Sequence, residues 1–336
     1  MISARRRRGA ATSLWPVLAS VVLLLAGCTT ESAPPEQPPP ASIIATVTVP
    51  PSSGITITAE QLSNSDPCGL LDSQVLSKFG DAEIEIDFRF TGCNGEISSP
   101  AGDQVRISVG FDFDLSSLSM APSIRHGVTV YRDGDPNWCR RSIVVSPAAA
   151  INLAVAADAE STRCQVADAV LDAMLPQLRQ GQLTPANHPP NSLAKLDACR
   201  LLNHTETHEV PGIDRTQVYP GYNGHHCTWG KETVSDPHVY VAFNRSFPPE
   251  AKSTGAVATT IAGRPAVVDP FAGGENDSYR TLPDCNVEFA YRPLDRPSGV
   301  RTVELVHVGV SFDGPEKARC ELATALATKV AERLPS

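Results

Sequence analysis

Nine cysteines and eight histidines are the residues of this chain with the widest chemical repertoire, and their spacing limits what they can do. Eight of the cysteines lie beyond Cys28: Cys68, Cys93, Cys139, Cys164, Cys199, Cys227, Cys285 and Cys320. No CxxC pair occurs among them, so the spacing carries no zinc-ribbon or dithiol signature, and an even number reads as a disulfide framework made in an oxidising compartment. Five of the histidines fall close together in the C-terminal half, at 204, 208, 225, 226 and 238. His204 and His208 are four apart on a predicted helix, one turn apart on one face, which suits two ligands of a zinc ion, and His225 or His226 would supply a third. Thr205 follows His204, so there is no HExxH. The expected cofactor is none, the expected metal is none, and His204, His208 and His226 are the candidate ligands should one bind.

Other chemistry is thin. No G-x-S-x-G elbow appears, and bridged cysteines offer no thiolate, so no catalytic residue is assigned. Glu83 with Glu85, and Asp112 with Asp114, fall on alternating strand positions and read as solvated pairs. Tyr219, Tyr222, Trp229 and Tyr240 are a local enrichment in a chain with few aromatics, and are the candidate lining of a groove for lipid or glycan. The competing reading places them in a core, with Trp229 on the disulfide of Cys227 and with Tyr240 and Phe243 of opposite strand parity.

The elements that must position these residues come in two copies. Asp66-Pro67-Cys68-Gly69-Leu70-Leu71 runs on to Gly80, and Asp197-Ala198-Cys199-Arg200-Leu201-Leu202 runs on to Gly212. Each reads as a short helical segment with an aspartate cap and a glycine stop. Cys164 and Cys320 each open an amphipathic stretch at i, i+3, i+4, i+7 spacing, closed by Leu175-Pro176 and Leu334-Pro335. Alternating apolar runs at 105–113, 239–243 and 303–310, with 146–156 and 287–291 between, read as strands. Strands in succession without intervening helices imply an antiparallel sheet. The expected fold class is therefore α+β: two homologous domains, at 60–182 and 183–336, each an antiparallel sheet flanked by N- and C-terminal helices and stapled by two disulfides. Within each set of four cysteines, first with second and third with fourth is the favoured pairing, because it ties the first helix to a strand and a later strand to the last helix.

The N-terminus supplies an address. Arg5 to Arg8 precede an apolar run from Leu14 to Leu25, too short to span a bilayer. Leu25-Ala26-Gly27-Cys28 resembles the bacterial lipobox, which implies a signal peptide at 1–27 and diacylglycerol or palmitate on Cys28. Residues 28–59 are rich in proline and read as an extended tether. Loss of the leader removes four arginines and no acidic residue from a chain of net charge -9, so the mature protein is strongly acidic and lacks the basic surface that nucleic acid needs.

The lipobox, the D-P-C-x-L-L and D-x-C-x-L-L starts, Cys227-Thr228-Trp229, the turn Gly263-Arg264-Pro265-Ala266 and the closing C-x-x-A…L-P helix together resemble the actinobacterial lipoproteins of the domain of unknown function 3558 family. The second copy matches throughout. In the first, Cys93 is followed by Asn94-Gly95 without tryptophan, and the G-x-P-A turn is missing. The resemblance implies a place in the cell envelope and a non-catalytic binding or sensing role, and it supplies no catalytic residues. The expectation is a non-enzymatic module that binds a ligand or an envelope protein, tethered to the outer face of the cell membrane through its lipid. A lipid or glycolipid carrier with an apolar cavity is the second reading, and a metal-dependent hydrolase the third.

Overall fold

The computed structural model describes residues 54–100, 102–112, 121–132, 137–146, 149–231, 233–275, 280–294 and 301–335. The expected signal peptide, Cys28, most of the expected tether and Asp114 lie outside the described residues, as do the side chains of Asp112 and Tyr222.

In the first half, helix α1 (Ala59–Ser63), a 3-10 turn at Pro67–Leu70 and helix α2 (Ser73–Leu76) lead into seven strands. These are β1 (Asp81–Ile86), β2 (Gly92–Ser98), β3 (Gln104–Asp112), β4 (Ala121–Arg125), β5 (Val128–Arg132), β6 (Cys139–Ser146) and β7 (Ala149–Ala156); helix α3 (Glu160–Arg179) follows. In the second half, 3-10 turns at Leu193–Lys195 and Ala198–Arg200 and helix α4 (His204–Thr207) precede β8 (Val218–Pro220), β9 (His226–Gly230), β10 (His238–Ser246), β11 (Val257–Ile261) and β12 (Arg264–Phe271). A small hairpin of β13 (Gly274–Glu275) and β14 (Arg280–Thr281) intervenes before β15 (Asp284–Leu294), β16 (Thr302–Ser311) and helix α5 (Glu316–Arg333).

The two sheets have one topology. The first is ordered β1-β2-β3-β7-β6-β5-β4 and the second β8-β9-β10-β16-β15-β12-β11, so strands one to seven of each half take the same places. Every neighbouring pair is antiparallel. The duplication reaches into detail. Asp66 and Asp197 each accept a hydrogen bond from the backbone N–H of the following cysteine, at 2.9 Å in both halves. The matched strands β6 and β15 each carry a register irregularity. The G-x-P-A turn is the β11–β12 hairpin, whose corner residues Ala262 and Gly263 both have positive φ, as a type I′ turn requires. The first half makes the same hairpin with His126-Gly127 between β4 and β5, so the motif is absent there only as a string of letters.

Four disulfides join Cys68 to Cys93, Cys139 to Cys164, Cys199 to Cys227 and Cys285 to Cys320. In each half the first ties the 3-10 turn to the second strand and the other ties the sixth strand to the C-terminal helix. Disulfides of this number indicate an oxidising, extracytoplasmic setting. Among the described residues no helix is long and apolar enough to cross a membrane.

Each helix packs on one sheet face. Val166, Val170, Leu171 and Met174 of α3 meet Val109, Ile151, Leu153 and Val155, while Leu326, Ala327 and Val330 of α5 meet Val241, Val287, Phe289 and Val308. These side chains are essentially inaccessible, and each large one buried contributes on the order of 2 kcal/mol. Two sequence expectations need correction. The stretch opening at Cys164 lies inside a longer helix that does not stop at Leu175-Pro176: α3 starts at Glu160 and runs through Pro176 to Arg179, giving up one backbone hydrogen bond while Leu178 still has core to bury. The run 146–156 is not one strand, since β6 ends at Ser146 and β7 starts at Ala149.

The connector after α3 is fixed in place. Thr184 accepts from the Asp66 N–H at 2.7 Å and the Ala186 N–H donates to Asn64 at 2.9 Å. Beyond it, buried Glu304 of β16 accepts from the Ser192 hydroxyl at 2.6 Å and from the Leu193 N–H at 2.9 Å. A second contact comes from the loop between β1 and β2. Phe90, only 5% exposed, belongs to the core of the second half. The Arg245 guanidinium lies 4.9 Å from its ring centroid, the His225 ring 5.0 Å away and the His188 ring 6.0 Å away in an edge contact. Arg245 also donates from its backbone N–H to Phe88 O and from Nη2 to Arg89 O.

This junction sets an acid limit on stability. Burial, with Arg245 and His225 adding repulsion, pushes His188 down to about 4, and burial also lowers His225. Both are neutral in the fold but take up protons near their ordinary values in the unfolded chain, so their contribution is complete above about pH 6.5 and is lost as pH falls toward 4. Asp284, pushed up to about 6 by burial with Asp269 adding, acts in the opposite sense. The expected outcome is a midpoint of urea unfolding that falls between pH 6.5 and 4, with a shallower fall in a His188→Gln, His225→Gln variant. Equal slopes in the variant and the parent would contradict it.

Candidate functional site

Strand alternation gives the first sheet an inner face on α3 and an outer face of polar residues. The cross-strand register places Glu83, Glu96, Arg106 and Ala156 in one row and Glu85, Asn94, Ser108, Ala154 and Arg140 in the next. Such partners share a face. Two adjoining clefts open on it, of about 660 Å³ and about 360 Å³. Glu96, Arg106 and Trp138 line both, so the Trp138 ring borders the two together. Glu83, Glu85, Asn94, Gly95, Ile107 and Ser108 complete the smaller one.

The larger cleft is built where several elements end. Gly102, Asp103 and Gln104 come from the β2–β3 corner, Asn137 and Trp138 from the approach to β6, and Ala157 and Asp158 from the turn into α3. The corner is held by the Asp103 N–H on the Ser99 hydroxyl at 3.0 Å, and by Gln104 Nε2 donating to Ser98 Oγ at 3.1 Å. Buried Arg163 of α3 braces the turn by donating from Nη1 to the Ala157 carbonyl at 2.7 Å and to that of Asp158 at 3.3 Å. Its counterpart Arg319 does the same in the second half, on the carbonyl of Gly314. The Arg140 guanidinium sits 5.9 Å from the Trp138 ring centroid. The site therefore joins one large aromatic plate to carboxylate, amide, hydroxyl and guanidinium groups, with carboxylates in excess. Glu83 and Glu85 are exposed, as expected, and line the smaller cleft.

The residues singled out from sequence lie on the second half. Trp229 is 3% exposed and sits in the core with Cys227. Tyr219 and Tyr240 stand with Thr228 in a row on the opposite, outer face. Tyr219, Trp229 and Tyr240 therefore do not line one groove, because strand parity sends the tryptophan inward and the tyrosines outward. Tyr240 lies over Gly309, where a Cβ would come within 2.1 Å of its ring, and donates from its hydroxyl to Asn286 Oδ1 at 2.6 Å. The rings of His226 and His238 stack on it at 5.9 and 6.4 Å. Burial, then Asp284 and Glu288, raises the Tyr240 hydroxyl well above its usual range, and burial, then His238, lowers His226. This is a closed polar layer on the sheet. His204 and His208 lie 5.8 Å apart at α4, whereas His226 belongs to β9. Among the described residues no group of three or more histidine, cysteine, aspartate or glutamate side chains is placed to hold a metal ion.

Trp138 and its cleft were not anticipated. A signal was present, a tryptophan directly before the disulfide cysteine Cys139 in an aromatic-poor chain, but adjacency alone does not say which sheet face the ring takes.

No family model matches this chain, and no curated protein does. Among solved structures it is similar to the crystal structure of DynU16, a protein described by its place in the dynemicin biosynthetic locus, at 13% identity over 82% of this chain and 93% of that one. The TM-score is 0.18, which carries no argument about fold or function.

Proposed function

We propose that this chain is a cell-envelope lipoprotein: a duplicated, disulfide-stapled module held at the outer face of the membrane by lipid on Cys28, which binds a polar ligand without turning it over. The observation that carries the reading is the cleft around Trp138, whose 660 Å³ is in the range of small-molecule sites. The four disulfides and the lipobox-like Leu25-Ala26-Gly27-Cys28 support the location, and the motifs resembling the domain of unknown function 3558 family fit it. The carrier reading is less well supported, because the space between each sheet and its helix is filled by packed side chains, while the larger cleft on the outer face is mostly polar.

The anchor has a direct test. Expressed in an actinobacterial host, the full chain is expected in the membrane fraction and in the detergent phase on temperature-induced phase separation, and Cys28→Ala is expected to lose both. A Cys28→Ala chain that still enters the detergent phase would contradict lipidation.

A further inference from the structure

We infer that the Trp138 cleft is a glycan site, taking an oligosaccharide without acidic groups. The inference rests on the ligand-binding reading above and gives that site its chemistry. Trp138 borders both lobes and presents a large apolar plate in an otherwise polar cleft, the arrangement that suits the C–H face of a pyranose while its hydroxyls meet polar groups at the rim. Those groups are laid out on a ladder: Glu83, Glu96 and Arg106 stand on three successive strands, as do Glu85, Asn94 and Ser108 on the neighbouring row. Adjacent strands lie roughly 4.8 Å apart, close to the repeat of an extended sugar chain, so successive rings would meet successive donors and acceptors.

The charge of the lining narrows the class. Glu83, Glu85, Glu96, Asp103 and Asp158 outweigh the arginines there, which disfavours phosphates, uronates and nucleotides and favours uncharged or amine-bearing sugars. An acyl chain would leave these carboxylates desolvated and unpaired. The two adjoining lobes, bordered together by Trp138, suit a short chain of rings.

The test is calorimetric titration of the full, oxidised chain with chitohexaose, its fully deacetylated amine-bearing counterpart, and an oligogalacturonate of equal length. Binding of the first two is expected, the amine-bearing chain tighter and more sensitive to salt, and the anionic chain is expected not to bind. Trp138→Ala is expected to weaken binding roughly tenfold or more, with Trp138→Phe retaining most of it. Glu96→Gln should lower affinity for the amine-bearing chain and spare the acetylated one. Thermal melts of each variant exclude a folding defect as the cause. Failure of both expected sugars to bind, equal binding of the galacturonate, or binding indifferent to Trp138→Ala would each overturn the glycan assignment. If the sugars fail while another small ligand moves the Trp138 indole resonance, the sugar class falls and the cleft remains a ligand site; if no ligand moves it, both fall.

Discussion

A chain with Cys285 and Cys320 both replaced by alanine is expected to lose about 4 kcal/mol of stability against urea. The bridge spans 35 residues and restricts the unfolded chain by a loop-closure entropy of that size. It also pins α5 to β15 at a point where Cys285 is fully inaccessible. Removal of the Cys68–Cys93 bridge, which spans 25 residues, is expected to cost about 3.5 kcal/mol. Against a typical domain stability of roughly 5 to 15 kcal/mol, loss of either bridge takes a large share, and a reducing agent that opens all four is expected to unfold the protein. Equilibrium unfolding of the oxidised parent and each double variant measures this. A loss below about 1 kcal/mol would show that the bridges merely decorate a fold already fixed by its core.

Phe90→Ala is expected to destabilise by about 3 to 5 kcal/mol, the usual cost of removing a buried phenylalanine. The ring comes from the first half and is buried in the core cluster of the second, beneath the Arg245 guanidinium. Its loss leaves that cation and the rings of His188 and His225 facing a cavity. The larger consequence is in cooperativity: the parent is expected to unfold in one transition, and the variant in two, as the halves melt separately. Phe88→Ala is the control. Two residues away in the same loop, Phe88 is 56% exposed, and its removal is expected to change stability by less than about 0.5 kcal/mol. A Phe90→Ala chain that keeps a single transition and loses less than about 1 kcal/mol would mean that the halves are held by other contacts.

Periodicity and spacing made the skeleton legible. The cysteine order and its matching contexts gave the duplication, the bridge pattern and the helix at each end, because caps and disulfides leave local marks. Strands buried on one face, such as β3 and β10 with their alternating valines, announced themselves. Edge strands did not. β11 is exposed along nearly its whole length, so no alternation marks it, and its place is set by the Ala262-Gly263 turn and by pairing with β12. The arginines preceding Cys164 and Cys320 also passed unread, since only burial shows that Arg163 and Arg319 brace the turn into each helix.

The site was less legible than the fold. Aromatic enrichment drew attention to the second half, where strand parity divides Trp229 from Tyr219 and Tyr240. The cleft instead depends on residues far apart in sequence, with Glu83, Glu96 and Arg106 brought to one face by strand register and Trp138 set beside them just before β6. A single tryptophan and scattered carboxylates have no local pattern, and no spacing rule reports that a corner, a strand start and a helix entry converge.

The most direct measurement uses the two tryptophans among the described residues. In the 15N-labelled, oxidised protein, Trp138 and Trp229 each give one indole N–H resonance, the first in the cleft and the second in the core. Titrated with a panel of sugars, amino acids, peptides, nucleotides and fatty acids, the Trp138 resonance is expected to shift with a polar ligand while that of Trp229 stays fixed. A Trp138 resonance that no ligand moves, or shifts confined to Trp229 and the second sheet, would contradict the assignment of the ligand site to the first half.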